Sequence, residues 1–308
     1  MRRLVTFASI AAAAACGRSA HAPPPAPSNT PAATAIEPEP VATPSPPPDE
    51  PRAPAEPPPP PSPPYLAGTW ASACMPGATK GTSTQLTATI TDATWVLAVD
   101  AFRDPACRTH AAQLRTEGAY ALEAPSSVVA GAWDARIDFA QRTLTVDDAA
   151  TAKAMAKICK LGARPRPKQA VDVLARGCPG LQVHPVATCA ADHDVVALVG
   201  GALQLGVRPP DNDLCTAARR PTALAPTLAL ALVLPSQGAP LCDAYYRRTV
   251  DFAACPALPL DTKRAMADAR AAMMAAAAGM TPAQRAQMEP ACQSATDALT
   301  SALAGIGC

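Results

Sequence analysis

From Thr84 to Ile90 the chain alternates apolar and polar side chains, and Trp95, Leu97 and Val99 take up the same alternation a few residues later. Leu114 to Leu122, Trp133 to Phe139 and Thr143 to Val146 continue it, with turn residues such as Arg103-Asp104-Pro105 between. Successive side chains of a strand point to opposite faces. Period-two runs recurring about every ten to twelve residues therefore predict an antiparallel meander that closes into a barrel or sandwich. Asp147 to Leu161 breaks the rhythm: Asp147 or Asp148 can cap a helix carrying Ala154, Met155, Ile158 and Leu161 on one side. Strands resume at Ala170 to Leu174, and Val195 to Val199 and Ala202 to Val207 flank Gly200-Gly201, the signature of a two-residue hairpin. Leu228, Leu230, Leu232 and Leu234 alternate between Pro226 and Pro235. That run is far short of the roughly twenty residues a bilayer span needs, so it predicts a buried strand. Residues 65–236 thus hold about nine strands and one helix.

Beyond residue 240 the period changes. Leu241, Tyr245, Val250 and Phe252 mark an imperfect apolar face on a helix over Leu241 to Ala254. Pro259 opens a second, Ala- and Met-rich helix that reaches Ala278 before Gly279 ends it. Thr281-Pro282-Ala283-Gln284 is a capping box that starts a third helix running to about Ala304, which Pro290 should kink or split. Three short-linked helices pack up, down, up, in a module over residues 240–308.

The N-terminus belongs to neither pattern. Arg2 and Arg3 precede a short apolar stretch from Leu4 to Ala15, too short to span a bilayer, so residues 1–15 are expected to be a cleaved signal peptide. Ala13-Ala14-Ala15-Cys16-Gly17 resembles a bacterial lipobox, although Ala13 stands where that motif more often has Leu. The lipobox resemblance implies a lipid on Cys16, anchoring to the membrane, and, from Gly17, sorting to the outer membrane. The alternative is an ordinary signal-peptidase site in the Ala run, which removes Cys16 or leaves it a free exported thiol. From Pro23 to Pro64 the chain is dominated by Pro, Ala, Ser, Thr and Glu, a composition that cannot bury a core. Residues 16–64 are therefore expected to be a lipidated N-terminus and an extended, largely polyproline II tether. A net charge of +1 steers nothing toward nucleic acid, and the small basic clusters at Lys153–Lys168 and Arg219-Arg220 fit a solvated face.

The cysteines number eleven. Setting Cys16 aside leaves an even set between Cys74 and Cys308, which in an exported chain predicts disulfides. Cys242 and Cys255 lie about 20 Å apart along one predicted helix, whereas a disulfide needs Cα atoms within about 7 Å. The same separates Cys292 from Cys308. Bonds must cross from the first helix of the module to the third; those two are parallel in an up-down-up bundle, so Cys242–Cys292 and Cys255–Cys308 are expected. Cys74 and Cys107 flank the first strands and are expected to pair. Cys159, Cys178, Cys189 and Cys215 allow three connectivities, which stay open. Cys178, His184, Cys189 and His193 lie close in sequence, but their spacing fits no usual zinc site.

Two passages carry a family resemblance. Gly68-Thr69-Trp70, followed by Ser72 and Cys74, resembles the Gly-x-Trp start of lipocalin-like domains, in which Trp closes the barrel floor. The order Trp70, Cys74, Asp104-Pro105-Ala106-Cys107, Gly118-Ala119-Tyr120 is similar to the domain of adenomatosis polyposis coli down-regulated proteins. Asp211-Asn212-Asp213-Leu214-Cys215 with Arg219-Arg220-Pro221-Thr222 resembles a later stretch of it. The resemblance covers about residues 65–235 and implies a cysteine-stabilised lipocalin-like barrel that binds secreted or lipidic partners rather than catalysing a reaction. The fold expected is α+β: an antiparallel barrel of about nine strands with one inserted helix, then a disulfide-stapled three-helix module outside the resemblance. The Ala-rich, aromatic-poor interior departs from a roomy ligand barrel.

The chain carries no Gly-x-Ser-x-Gly elbow, phosphate-binding glycine loop or His-Glu-x-x-His. Asp192-His193-Asp194 is the nearest approach to an acid–base cluster and otherwise makes a polar turn before the Val195 strand. Asp211 and Asp213 fit a turn better than a calcium loop. No catalytic residue, cofactor or metal is expected. The function expected is a tethered binding module, its barrel holding a small apolar ligand among Trp95, Trp133, Ile137 and Phe139 or presenting loops to a protein partner. The alternative is a structural or assembly lipoprotein of the envelope that docks a partner through Met266, Met273, Met274, Met280 and Met288, residues that equally suit a bundle core.

Overall fold

A computed structural model describes residues 61–308. The signal peptide, Cys16 and all but the last few residues of the Pro-rich tether lie outside the described residues. The strands are β1 (Gly68–Ser72), β2 (Met75–Pro76), β3 (Ser83–Ile90), β4 (Thr94–Phe102), β5 (His110–Pro125), β6 (Trp133–Asp138) and β7 (Gln141–Val146). Helix α1 (Ala149–Ile158) and the short β8 (Val171–Asp172) lead to β9 (Ala191–Val199), β10 (Ala202–Gly206) and β11 (Leu224–Leu232). Helices α2 (Pro240–Ala254), α3 (Leu260–Ala278) and α4 (Pro282–Gly305) follow.

Eight of the strands close a ring, every neighbouring pair antiparallel: β1, β3, β4, β5, β6, β9, β10, β11 and back to β1. Closure is made at β1, where Trp70 stands opposite Ala88 of β3 on one side and Leu232 of β11 on the other. A closed ring leaves no unpaired edge to aggregate. Trp70 is buried against the inner face, and its indole Nε1 donates to the Leu66 carbonyl at 2.7 Å, so its one polar atom is satisfied. The total of eleven strands exceeds the expected nine through β1 and β2. These have five and two residues, too few to show a clear period. The run expected from Ala170 to Leu174 shrinks to the two residues of β8. The expected Leu-rich strand begins earlier, at Leu224, and runs through Pro226. Leu224 to Ala229 lies opposite Gly206 to Gln204 in an irregular register, so Pro226 falls in a bulge where no ladder N–H is required.

β6 and β7 behave as one bent strand. Both run antiparallel to β5, β6 along Tyr120–Pro125 and β7 along Ala112–Glu117, with Phe139 and Ala140 at the bend. Above the bend the strand pairs with β9 and stays in the ring; below it, β7 pairs with β8 and leaves. Gly118 faces the bend. A Cβ there would overlap the Asp138 carbonyl oxygen, so the approach of β5 to the bend requires glycine. The divergence splits the interior into two clusters. One, inside the ring, gathers Trp70, Trp95, Ile137, Val196 and Leu203; the other lies under α1 and includes Leu144, Val146 and the Cys159 and Cys178 sulfurs. Asp148 caps α1, its carboxylate accepting from the Ala150 and Thr151 N–H groups.

The helices form their own cores, around Phe252, Leu258, Leu299 and Leu303 and around Cys242, Tyr246 and Cys292. Thr281 and Gln284 make the reciprocal bonds of a capping box. α4 is not split at Pro290 but runs unbroken through it. Losing the bond to the Ala286 carbonyl is local, and the Cys242–Cys292 disulfide holds the next turn to α2. Barrel and helices meet through Leu66 and Val250, which share the ring's cluster. The end of the Pro-rich stretch is docked rather than free. The Ser62 N–H donates to the Pro256 carbonyl and the Tyr65 N–H to that of Ala253. Lys263, fully buried, donates its Nζ to the Pro63 and Ser62 carbonyls at 2.7 and 3.2 Å, and desolvation brings its ammonium down to about 8.

Gly118→Ala should destabilise the barrel by about 1–3 kcal/mol or more, the usual cost of overpacking a site that cannot yield. Urea denaturation measures it, and an unchanged midpoint would show that β5 can move away from the bend.

Candidate functional site

A cavity of about 350 Å³ runs between the two clusters, where β7 parts from the ring. Its wall takes side chains from alternate positions of the strands: Leu86 of β3, Leu97 and Val99 of β4, Leu114 and Thr116 of β5, Leu205 of β10. Trp95, Ile137 and Phe139, expected to face inward, line it; Trp133 packs half-buried on the ring's cluster but does not reach the cavity.

Four charged side chains interrupt this apolar wall: Arg142, Asp192, Asp194 and Arg208. Asp192-His193-Asp194 is not a turn. It lies inside β9, with Asp192 opposite Ile137, His193 opposite Arg136 and Asp194 opposite Ala135 of β6, so Asp192 and Asp194 project inward and His193 outward. Strand alternation explains the burial of both carboxylates. Asp194 is fully buried; its Oδ1 accepts from the Val195 and Gly206 N–H groups at 2.8 and 2.9 Å, while Oδ2 has no hydrogen-bond partner among the described residues. Arg208, from the loop after β10, donates to Asp192 Oδ2 at 2.9 Å and lies 3.8 Å from Asp194 Oδ2. Desolvation raises the Asp194 carboxyl to about 6, against the opposing pull of Arg208. For Arg208 itself, burial works to lower the pKa, but Asp192 and Asp194 together raise it. Arg142, on the inner face of β7, lies with its guanidinium 3.5 Å from the Phe139 ring centroid, and desolvation lowers its pKa.

Two loops form the rim. Residues 181–184 bring Leu181, Gln182 and His184 to the cavity, and residues 208–213 bring Arg208 and Asn212. They are laced together: Asn212 Nδ2 donates to the Gln182 carbonyl at 3.0 Å, Gln182 Nε2 donates to that of Pro210, and His184 Nε2 meets that of Asp211 at 3.3 Å. Arg142 Nη1 donates to the His184 carbonyl at 2.9 Å, tying the rim to β7. Arg219 holds Asp211 and Asp213 as ion pairs in the second loop, so their charge serves the loop. Each loop is stapled. The connectivity left open by the sequence is Cys159–Cys178, before the first loop, and Cys189–Cys215, on either side of the second. The sulfurs of Cys178 and Cys189 are thus consumed, and with His184 and His193 they make no zinc site. Cys74 is bonded to Cys107, Cys242 to Cys292 and Cys255 to Cys308. His110 lies apart, bridging Asp147 and Asp100 at 2.8 and 3.0 Å. Partial burial opposes its charging, but the two carboxylates outweigh it and raise its pKa.

No family model matches the chain, and no curated protein matches it. The site must be read from its own residues. Sequence reasoning missed Arg142 and Arg208. Arg142 was legible in principle, since it shares the alternation of Leu144 and Val146 and so stands as a charge on an apolar face. Arg208 was not, because only the fold of its loop brings it to Asp192.

Asp194 binds its proton more tightly when folded, near pH 6, than at its ordinary value of 3.8. The folded state then holds the extra proton in that window, so this group adds stability as pH falls from about 6 toward 4. Asp194→Asn should remove that gain. The thermal midpoints of wild type and variant should converge or cross between neutral pH and about pH 4, whereas a difference independent of pH would exclude titration of Asp194 there.

Proposed function

We propose that the chain is an exported, membrane-tethered lipoprotein whose barrel binds a small apolar ligand without transforming it. The observation that carries this reading is a closed antiparallel barrel around an apolar-walled cavity of about 350 Å³. That volume lies within the about 300–1,000 Å³ common for ligand pockets, near its lower end, and favours a small or single-chain ligand. Five disulfides support an oxidising, exported location and leave Cys16 as the one cysteine for a lipid. A lipid on Cys16 would supply the anchor, with Gly17 favouring the outer membrane; no helix of the described residues is long and apolar enough to cross a membrane. Gly68-Thr69-Trp70 at the start of the barrel, with Trp70 in its core, supports kinship with lipocalin-like domains. Docking of an envelope protein through the module's methionines is less favoured, because Met266, Met273, Met274 and Met288 pack on the module's own cores.

Two measurements test this reading. Radiolabelled palmitate should label the expressed chain and fail to label Cys16→Ser. A fluorescent apolar probe such as ANS should bind the purified chain, and Leu97→Trp, which fills the cavity, should weaken it on the order of tenfold without lowering the thermal midpoint. Equal probe binding by wild type and Leu97→Trp would place the probe outside the cavity and sink the ligand reading.

A further inference from the structure

Building on the ligand-binding reading, the charges around the cavity specify the head of the ligand. Arg142 is only 7% exposed, yet it lines the cavity. Its Nη1 is engaged by the His184 carbonyl and its flat face by the Phe139 ring. Nε is buried and finds no hydrogen-bond partner among the described residues. Asp192 acts on Arg142 only at a distance, with no hydrogen bond between them. The other guanidinium is better matched: Arg208 has Asp192 at 2.9 Å, Asp194 at 3.8 Å and the Asn212 Oδ1 at 2.9 Å. Asp192 is hydrogen-bonded to Arg208 and Asp194 lies nearest to it, so neither carboxylate bonds Arg142. Arg142 is left as a cation in an apolar wall with one carbonyl for company, and buried charges are ordinarily paired. A guanidinium is also the side chain best shaped to hold a planar carboxylate.

We propose that the cavity takes an amphipathic monoanion, a carboxylate on a single apolar chain. The carboxylate accepts hydrogen bonds from Arg142 beside the rim, and the chain lies along the wall made by Leu97, Leu114, Ile137 and Leu144. A cationic head would meet Arg142 uncompensated, and a neutral head would leave it unpaired.

The test is titration calorimetry on the purified full-length chain with dodecanoate, 1-dodecanol and dodecyltrimethylammonium. Dodecanoate should bind on the order of tenfold or more tighter than 1-dodecanol, the worth of a charge-assisted hydrogen bond, with the ammonium weakest. Arg142→Gln should abolish the preference for dodecanoate while retaining 1-dodecanol binding, and Arg142→Lys should keep part of the preference. Should Arg142→Gln fail to fold, the three wild-type affinities decide alone. Equal affinity for dodecanoate and 1-dodecanol would overturn the assignment of the head and leave the cavity reading intact. Absence of binding by all three probes would overturn both.

Discussion

Everything in the barrel hangs on the double pairing of one five-residue strand. β1 is hydrogen-bonded to β3 on one edge and to β11 on the other, partners that lie at opposite ends of the β region. Until β11 arrives the meander is an open sheet with two exposed edges and an interior in contact with water. Closure removes both edges and buries Trp70, whose indole N–H is already directed to the Leu66 carbonyl. Because residues 62–65 are pinned to α2 and α3, the same short segment also joins barrel to helices. Contacts so distant in sequence must meet a loop-closure cost before they return any stabilisation.

The cavity is a consequence of the strand that leaves. A ring of eight strands is just wide enough for its own side chains to fill, as the well-packed cluster around Trp70, Trp95 and Leu203 illustrates. Where β6 continues into β7 and bends outward over Gly118, the ring loses a wall and the space is roofed by α1 and the rim loops instead. Loops roof a space less tightly than strands, and the two disulfides that frame these loops limit how far they can open. The charged side chains gather at this junction for the same reason. Asp192, Asp194 and Arg208 could not be accommodated in the dry centre of the ring, but at the rim backbone N–H groups, Asn212 and one another satisfy most of their polar atoms.

Much of this was legible along the chain, since alternation, caps and turn residues act over a few neighbours. Thr84 to Ile90, Gly200-Gly201 and Thr281 to Gln284 behave locally as their residue types dictate. Helix rise alone forbids Cys242 from reaching Cys255. Misread stretches are those in which tertiary partners override local preference. Asp192-His193-Asp194 has turn-like composition, yet β6 and Arg208 hold it in a strand; Pro226 should end a strand, yet a bulge admits it; Pro290 should break α4, yet packing and a disulfide carry the helix across.

By itself the sequence determined what depends on composition and near neighbours. The strand and helix periods follow from it, as do a capping box, an even set of cysteines besides Cys16, and the lack of any familiar catalytic signature. Tertiary structure alone decided that the meander closes through β1, that Cys159 meets Cys178 and Cys189 meets Cys215, and that Arg208 claims both carboxylates. The reason is range. Propensity and periodicity are written within a few residues, whereas closure, cavities and the pairing of buried charges depend on side chains that become neighbours only when the chain has folded.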